Sequence, residues 1–162
     1  MIEATLCFVV RDGQVLLIEK RRGLGEGWYN GPGGKLEAGE TPRECAVREV
    51  REEVGIDVEP EALTKAGELT FCQNGEKHTH CHVFRTDRFS GTPTSSAEAH
   101  PEWVDIPDVP YDQMWEDDRL WLPGVLKGKT VHGRFRFEGE GDLDEATFVD
   151  YDLEWGVSFE SP

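Results

Sequence analysis

The segment GGKLEAGETPRECAVREVREEVG, residues 33–55, constrains this chain more than any other. Its second half predicts a helix over Pro42 to Val54. Thr41 is an N-cap, and Glu44 three residues on completes a capping box. Pro42 occupies the first helical position, where a missing N–H costs nothing. Gly55 suits the left-handed position just past the end. Ala46, Val47, Val50 and Val54 form an apolar stripe that should face a core. At 100° per residue, Glu49, Glu52 and Glu53 fan out along one flank, beside that stripe rather than opposite it. Carboxylates three or four residues apart repel, and the negative end of the helix dipole adds to the cost. Solvent, an arginine or a metal has to offset it. Hard divalent ions such as Mg²⁺ take oxygen ligands, usually a few carboxylates with substrate phosphates and water. For an isolated ExxEE, a solvated acidic face is the plainer reading.

The rest of the chain reads as one mixed α/β domain over residues 1–157, with 158–162 as a frayed tail. Apolar runs at Thr5 to Val10 and Val15 to Ile18 flank Asp12-Gly13, a hairpin turn signal. A glycine-rich loop, GLGEGWYNGPGG, runs from Gly23 to Gly34. Leu69 to Cys72 and His80 to Phe84 read as strands. A long polar loop, TDRFSGTPTSSAEAHPEW, should lead into a short strand at Glu102 to Ile106. Asp117 to Leu126 reads as a second helix, ended near Gly128. Val131 to Phe137 and Ala146 to Leu153 alternate like a hairpin around GEGD.

Composition narrows the function classes. The 162 residues carry 17 Lys+Arg against 33 Asp+Glu, a net charge of −16. Such a surface repels duplex nucleic acid and anionic membrane. A phosphorylated substrate would need local cations. The excess is spread along the chain, which suggests adaptation to high salt, where screening relieves self-repulsion. No apolar run approaches the roughly 20 residues of a membrane span. The start, MIEATLCFVV, lacks a basic region and a cleavage site, so no signal peptide is expected. Cys7, Cys45, Cys72 and Cys81 are irregularly spaced without a CxxC pair. They read as reduced cysteines of a cytoplasmic protein. A monomer is expected.

The flanking residues sharpen the helix reading. Gly34, Glu40, Arg48-Glu49-Val50, Glu52-Glu53 and Gly55-Ile56 match G-x5-E-x7-R-E-U-x-E-E-x-G-U, U being apolar, at every defined position. The chain therefore resembles the Nudix hydrolases, which cleave a nucleoside diphosphate linked to another group. The resemblance implies an α/β/α sandwich around a mixed sheet. It also implies Mg²⁺, with Mn²⁺ as an alternative, on Glu49, Glu52 and Glu53, aided by a backbone carbonyl at Gly33 or Gly34. Arg48 and Glu40 would orient those ligands. Glu53 is one candidate base, although in this family the base often lies on a distant loop.

Beyond the box, RRGLGEGWYNGPGGK, FSGTPTSSAEAHPEW, MWEDDRLWLP and VHGRFRFEG are similar to one Nudix group, the animal-type 8-oxo-dGTP diphosphatases. That similarity implies hydrolysis of oxidised purine nucleoside triphosphates (8-oxo-dGTP, 2-hydroxy-dATP) to monophosphate and pyrophosphate, sanitising the nucleotide pool in support of DNA repair. It makes Trp115, Asp117 and Asp118 the base pocket. The indole would pack on a purine face. Two adjacent carboxyls in a dry pocket do not both ionise easily, so one can donate. The competing reading makes Asp117 a helix cap and Trp115 core. Asn30 matches a base-contacting residue, or is a turn asparagine before Gly31. Phe71 and Phe137 match aromatic walls, and Thr5 and Lys20 match pocket residues. Glu98 matches a loop glutamate proposed as metal ligand or base. The departures are Leu24 for an aromatic residue, Tyr29 for a Trp and Glu116 for a proline, which leave the preferred base open.

His78, His80 and His82 alternate on one strand face. With no fourth ligand in view, exposure to solvent is the expected state. Two alternatives to the leading reading remain. One is a Nudix hydrolase of another nucleotide, such as an ordinary dNTP, ADP-ribose or a dinucleotide. The other is a nucleotide-binding module without catalysis, which would not need the complete Arg48, Glu49, Glu52 and Glu53 set.

Overall fold

Local sequence signals set the hairpin that starts the fold. In the computed structural model, which describes residues 1–21 and 26–159, β1 (Ile2–Arg11) and β2 (Gln14–Lys20) are joined by a turn at Asp12 and Gly13. Both turn residues have positive φ, 47° and 76°, which suits the Asp-Gly dipeptide. The strands pair only beside the turn, at Val10 with Val15 and Arg11 with Gln14. Beyond that they splay. β3 (Tyr29–Asn30) and β4 (Gly33–Lys35) enter the opening, β3 against β2 and β4 against β1. Gly33 permits this approach. A Cβ there would sit 2.0 Å from the carbonyl oxygen of Thr5.

The helix α1 (Pro42–Val54) has the predicted bounds, with the Thr41–Glu44 capping box formed and Gly55 left-handed at φ 74°. After it come β5 (Asp57–Val58), β6 (Thr64–Gln73), β7 (Glu76–Thr86), β8 (Phe89–Ser90) and β9 (Ala99–Asp105). Next are α2 (Asp118–Leu126), β10 (Val131–Glu138) and β11 (Thr147–Trp155). The main sheet runs β11-β10-β6-β7-β1-β2-β3, with β9 on β2 and β4 on β1. It is mixed: β1–β7 and β6–β10 are parallel, whereas β6–β7 and β10–β11 are antiparallel hairpins.

Alternation along the strands builds two cores. Cys7 and Val9 of β1, Leu16 and Ile18 of β2 and Phe84 of β7 pack with Ala46, Val50 and Val54 of α1. The intervening Phe8, Val15 and Leu17 join Leu69, Val83 and Phe135 around Trp121 and Leu122 of α2. Phe8 meets Trp121 edge-on, with centroids 5.9 Å apart. The helices thus cover opposite faces of the sheet. All four cysteines are free and buried, and no described helix is long and apolar enough to cross a membrane.

Two sequence expectations are corrected. The strand expected from Glu102 to Ile106 begins at Ala99, and its register against β2 is unbroken from Ala99–Lys20 to Asp105–Gln14. The polar His100 and Pro101 hid its first half, because half-buried positions on an outer strand tolerate them. The loop before it contains β8, which pairs with β5. Within the segment expected as a tail, the Phe159 ring centroid lies 5.4 Å from Lys65 Nζ.

Gly33→Ala should cost about 1–3 kcal/mol, since backbone rather than a mobile side chain must yield. Gly34→Ala should cost much less. Its Cβ would meet the end of the Glu49 side chain, 2.6 Å from Cδ, which can swing aside. Urea unfolding of both variants against wild type checks the ordering.

Candidate active site

The opening between the splayed β1 and β2 is the mouth of a cavity of about 890 Å³. Its lining brings together nearly every site residue expected from the sequence. Glu49, Glu52 and Glu53 of α1, Gly33 and Gly34 of β4, and Lys20, Asn30, Thr5 and Glu98 contribute from the helix side. Trp115, Asp117, Asp118, Phe71 and Phe137 contribute from the other. Leu24 lies outside the described residues. Arg48 and Glu40 are not among the lining residues.

Arg48 organises the carboxylates. Its Nε and one terminal nitrogen donate to the two oxygens of Glu40 at 2.7 and 2.9 Å, a two-pronged grip. Its other terminal nitrogen donates to Glu49 at 2.7 Å and Glu52 at 3.2 Å. The hydrogen bonds from Arg48 hold the Glu40 carboxyl down to about 2. Glu53 accepts instead from the Gly33 N–H at 2.9 Å. Burial pushes the Glu53 carboxyl well above the usual range, and the neighbouring Glu49 adds to the rise against the Gly33 bond. Arg48 thus answers part of the repulsion between the helix carboxylates, whereas Glu53 is met by the Gly33 N–H and the charge of Lys20. The donors are all oxygen and crowd one wall, which fits a hard divalent cation. The Gly34 carbonyl makes 3.5 Å contacts with Thr5 Oγ1 and Cys45 Sγ. That residue's main contribution here is its missing side chain, which lets Glu49 approach.

The far wall differs. Asp117 and Asp118 are only 4% and 3% exposed. Asp117 precedes α2 without capping it. Its Oδ2 accepts from the Trp121 indole N–H at 2.9 Å. Asp118 Oδ2 accepts the Trp115 backbone N–H at 3.1 Å. Burial pushes both carboxyls above their ordinary range, and for Asp118 the adjacent Asp117 adds to it. Trp115 is half-buried in the cavity wall rather than core. Asn30 lines the cavity and also bonds within its own turn. Its Oδ1 accepts the Gly31 N–H at 2.8 Å, which leaves the amide nitrogen for the cavity.

Two features escaped the sequence. Trp28, 45% exposed, stacks on Trp115 with centroids 6.3 Å apart. Asp142, Leu143 and Asp144, from the β10–β11 connection, close one side of the cavity. Neither carries a local signal, because each meets the site only through the fold.

A model of the NUDIX domain matches residues 2–125 of the chain, a stretch that contains the carboxylate helix and its glycine approach. The chain belongs to the Nudix family. It is a Nudix hydrolase by this membership and by its relatives, and Nudix hydrolases use divalent metal ions. The oxidized purine nucleoside triphosphate hydrolase of Danio rerio is 44% identical over 147 residues, covering 87% of this chain and 93% of that protein. The Mus musculus protein of the same name is 38% identical over 156 residues, 96% of each chain. Among solved structures, a MutT protein from Bacillus halodurans superposes with a TM-score of 0.80 at 28% identity, covering 95% of this chain and 98% of that one.

Burial raises the proton affinity of both aspartates in the fold, so the unfolded chain releases those protons first as pH rises. The pair's contribution to stability should therefore fall as pH rises above about 4. Asp118→Asn removes one titrating group. Its stability relative to wild type should grow from pH 4 to pH 8, by up to about 1.4 kcal/mol per unit while only the unfolded form ionises. Denaturant melts of the two proteins across this range check the sign. A difference that shrinks with pH would show that Asp118 is ionised in the fold.

Proposed function

We propose that this Nudix hydrolase converts oxidised purine nucleoside triphosphates to the monophosphate and pyrophosphate. The observation that carries the reading is the single cavity that joins the carboxylate wall to the aspartate pair. Its volume of about 890 Å³ lies within the range of small-molecule sites. The two relatives named for this activity cover nearly the whole chain.

The two ends divide the work. Glu49, Glu52 and Glu53 would hold Mg²⁺, or Mn²⁺ in its place, with Glu98 contributing from its loop. The cation supplies charge neutralisation at the phosphate oxygens and makes water more acidic. Arg48, locked by Glu40, keeps Glu49 and Glu52 aimed at the triphosphate. Lys20 offers a positive charge to it. Glu53 would take the proton of the attacking water. In the opposite half, Trp115 packs on the purine face. The Asp117–Asp118 pair presents one neutral carboxyl as donor and one oxygen as acceptor. The Asn30 amide nitrogen adds a donor. Thr5 and Phe71 line the floor between. A pair that can shift its proton matches more than one oxidised base.

The test is pyrophosphate release with Mg²⁺ in low and high KCl, on 8-oxo-dGTP, 2-hydroxy-dATP, dGTP and ADP-ribose. The oxidised purines should be preferred by at least about tenfold in kcat/KM over dGTP. Activity confined to ADP-ribose would overturn the base pocket while keeping the carboxylate wall. Glu53→Gln should lower kcat by about 10²–10⁴-fold with little change in nucleotide affinity. An unchanged kcat would remove Glu53 from the proton transfer.

A further inference from the structure

The sheet face that packs against α1 continues into a polar cluster of different chemistry. His80 and His82 share that face with Phe84 of the α1 core, two and four residues along β7. Glu3 lies beside His80 across the β1–β7 ladder, and Glu68 lies opposite His82 across β6–β7. Glu3 Oε1 is 2.9 Å from His82 Nε2 and 3.4 Å from His80 Nδ1. One ligand atom from each of the three residues lies within 4.8 Å of the other two. The histidines are therefore not the solvent-facing row expected from alternation alone. His82 is only 7% exposed.

We propose that Glu3, His80 and His82 form a binding site for a borderline divalent transition metal, Zn²⁺ in the first instance, separate from the carboxylates of α1.

Three observations carry this. The first is spacing. Tetrahedral bonds of 2.0–2.2 Å put ligand atoms roughly 3.3–3.6 Å apart, so the measured 2.9 and 3.4 Å need only small movements. The second is the support for His80. A metal-ligating imidazole commonly gives its other N–H to a carboxylate. His80 Nε2 lies 2.9 Å from Glu68 Oε1, and Lys65 holds Glu68 at 3.3 Å. Glu68 is thus a positioning residue that turns Nδ1 toward Glu3.

The third is ligand type. Two imidazoles and one carboxylate select zinc-like ions, whereas Mg²⁺ prefers the all-oxygen wall of α1. The Glu3 and His80 side chains are 39% and 22% exposed, which leaves room for water to complete the coordination. One feature limits affinity. His82 Nδ1 is buried without a hydrogen-bond partner among the described residues, and metal on Nε2 moves the ring proton to that nitrogen. Micromolar binding follows, rather than the tighter binding of a fully supported site.

The measurement is calorimetric titration of Zn²⁺ into the full, metal-stripped chain in a large excess of Mg²⁺, which occupies the oxygen ligands. One equivalent should bind at micromolar concentration. His80→Asn, His82→Asn and Glu3→Gln should each weaken it at least tenfold, and Glu68→Gln by roughly 10- to 100-fold. His132→Asn, on the exposed side of β10, should leave it unchanged. Each variant's circular dichroism and melting temperature report folding. If His82→Asn does not fold, His80→Asn and Glu3→Gln decide. Absence of micromolar Zn²⁺ binding, or binding that survives both His80→Asn and Glu3→Gln, would overturn the site.

Discussion

The backbone of Gly33 and Gly34 passes between β1 and α1 where no side chain fits, and the active-site arrangement depends on that passage. A Cβ on Gly33 would strike the Thr5 carbonyl, and one on Gly34 would strike the Glu49 carboxyl. Because this strand slides into the gap, β1 and β2 can part after two residue pairs while β1 keeps its hydrogen bonds. The parting opens the cavity. The same backbone gives Glu53 its Gly33 N–H partner and lets Glu49 lean into the wall. Topology and chemistry thus share one constraint.

Electrostatics then divides the cavity into two halves that are unfavourable for different reasons. On α1, the cost is mutual repulsion among carboxylates at the negative end of a helix, and Arg48 offsets the part borne by Glu49 and Glu52. At Asp117 and Asp118, the cost is burial. A protein selected for stability alone would place apolar residues at the aspartate pair and lysines on the helix flank. That both unfavourable arrangements open into the same space is the physical argument for a site that meets a cation at one end and a hydrogen-bonding base at the other.

How much of this could be read in the sequence follows from the range of each signal. The α1 boundaries were legible to the residue because Thr41, Glu44, Pro42 and Gly55 act within one helical turn of themselves. The hairpins at Asp12-Gly13 and GEGD were legible for the same reason. The start of β9 was not, since pairing with β2 rather than local apolarity defines it. The metal wall came from one contiguous motif. The base pocket could be assembled only by resemblance, because Asn30, Phe71 and Trp115 are separated by tens of residues. The 142–144 segment lines the cavity and Trp28 stacks on the cavity residue Trp115, but no local pattern marked either.

The histidine row shows the limit most plainly. Alternation put His80 and His82 on one face, yet what that face meets depends on β1 lying parallel to β7 with Glu3 beside His80. A parallel pair separated by more than seventy residues leaves no trace in a local window. Once formed, it sets nitrogen donors against one carboxylate, while α1 sets oxygen donors against a glycine backbone. One cluster sits on the sheet and the other on α1, and they differ in ligand softness. The ions each prefers therefore need not compete. Separation by chemistry rather than by distance is what would let a hydrolase that needs a hard cation carry a nitrogen-ligated site on the same domain.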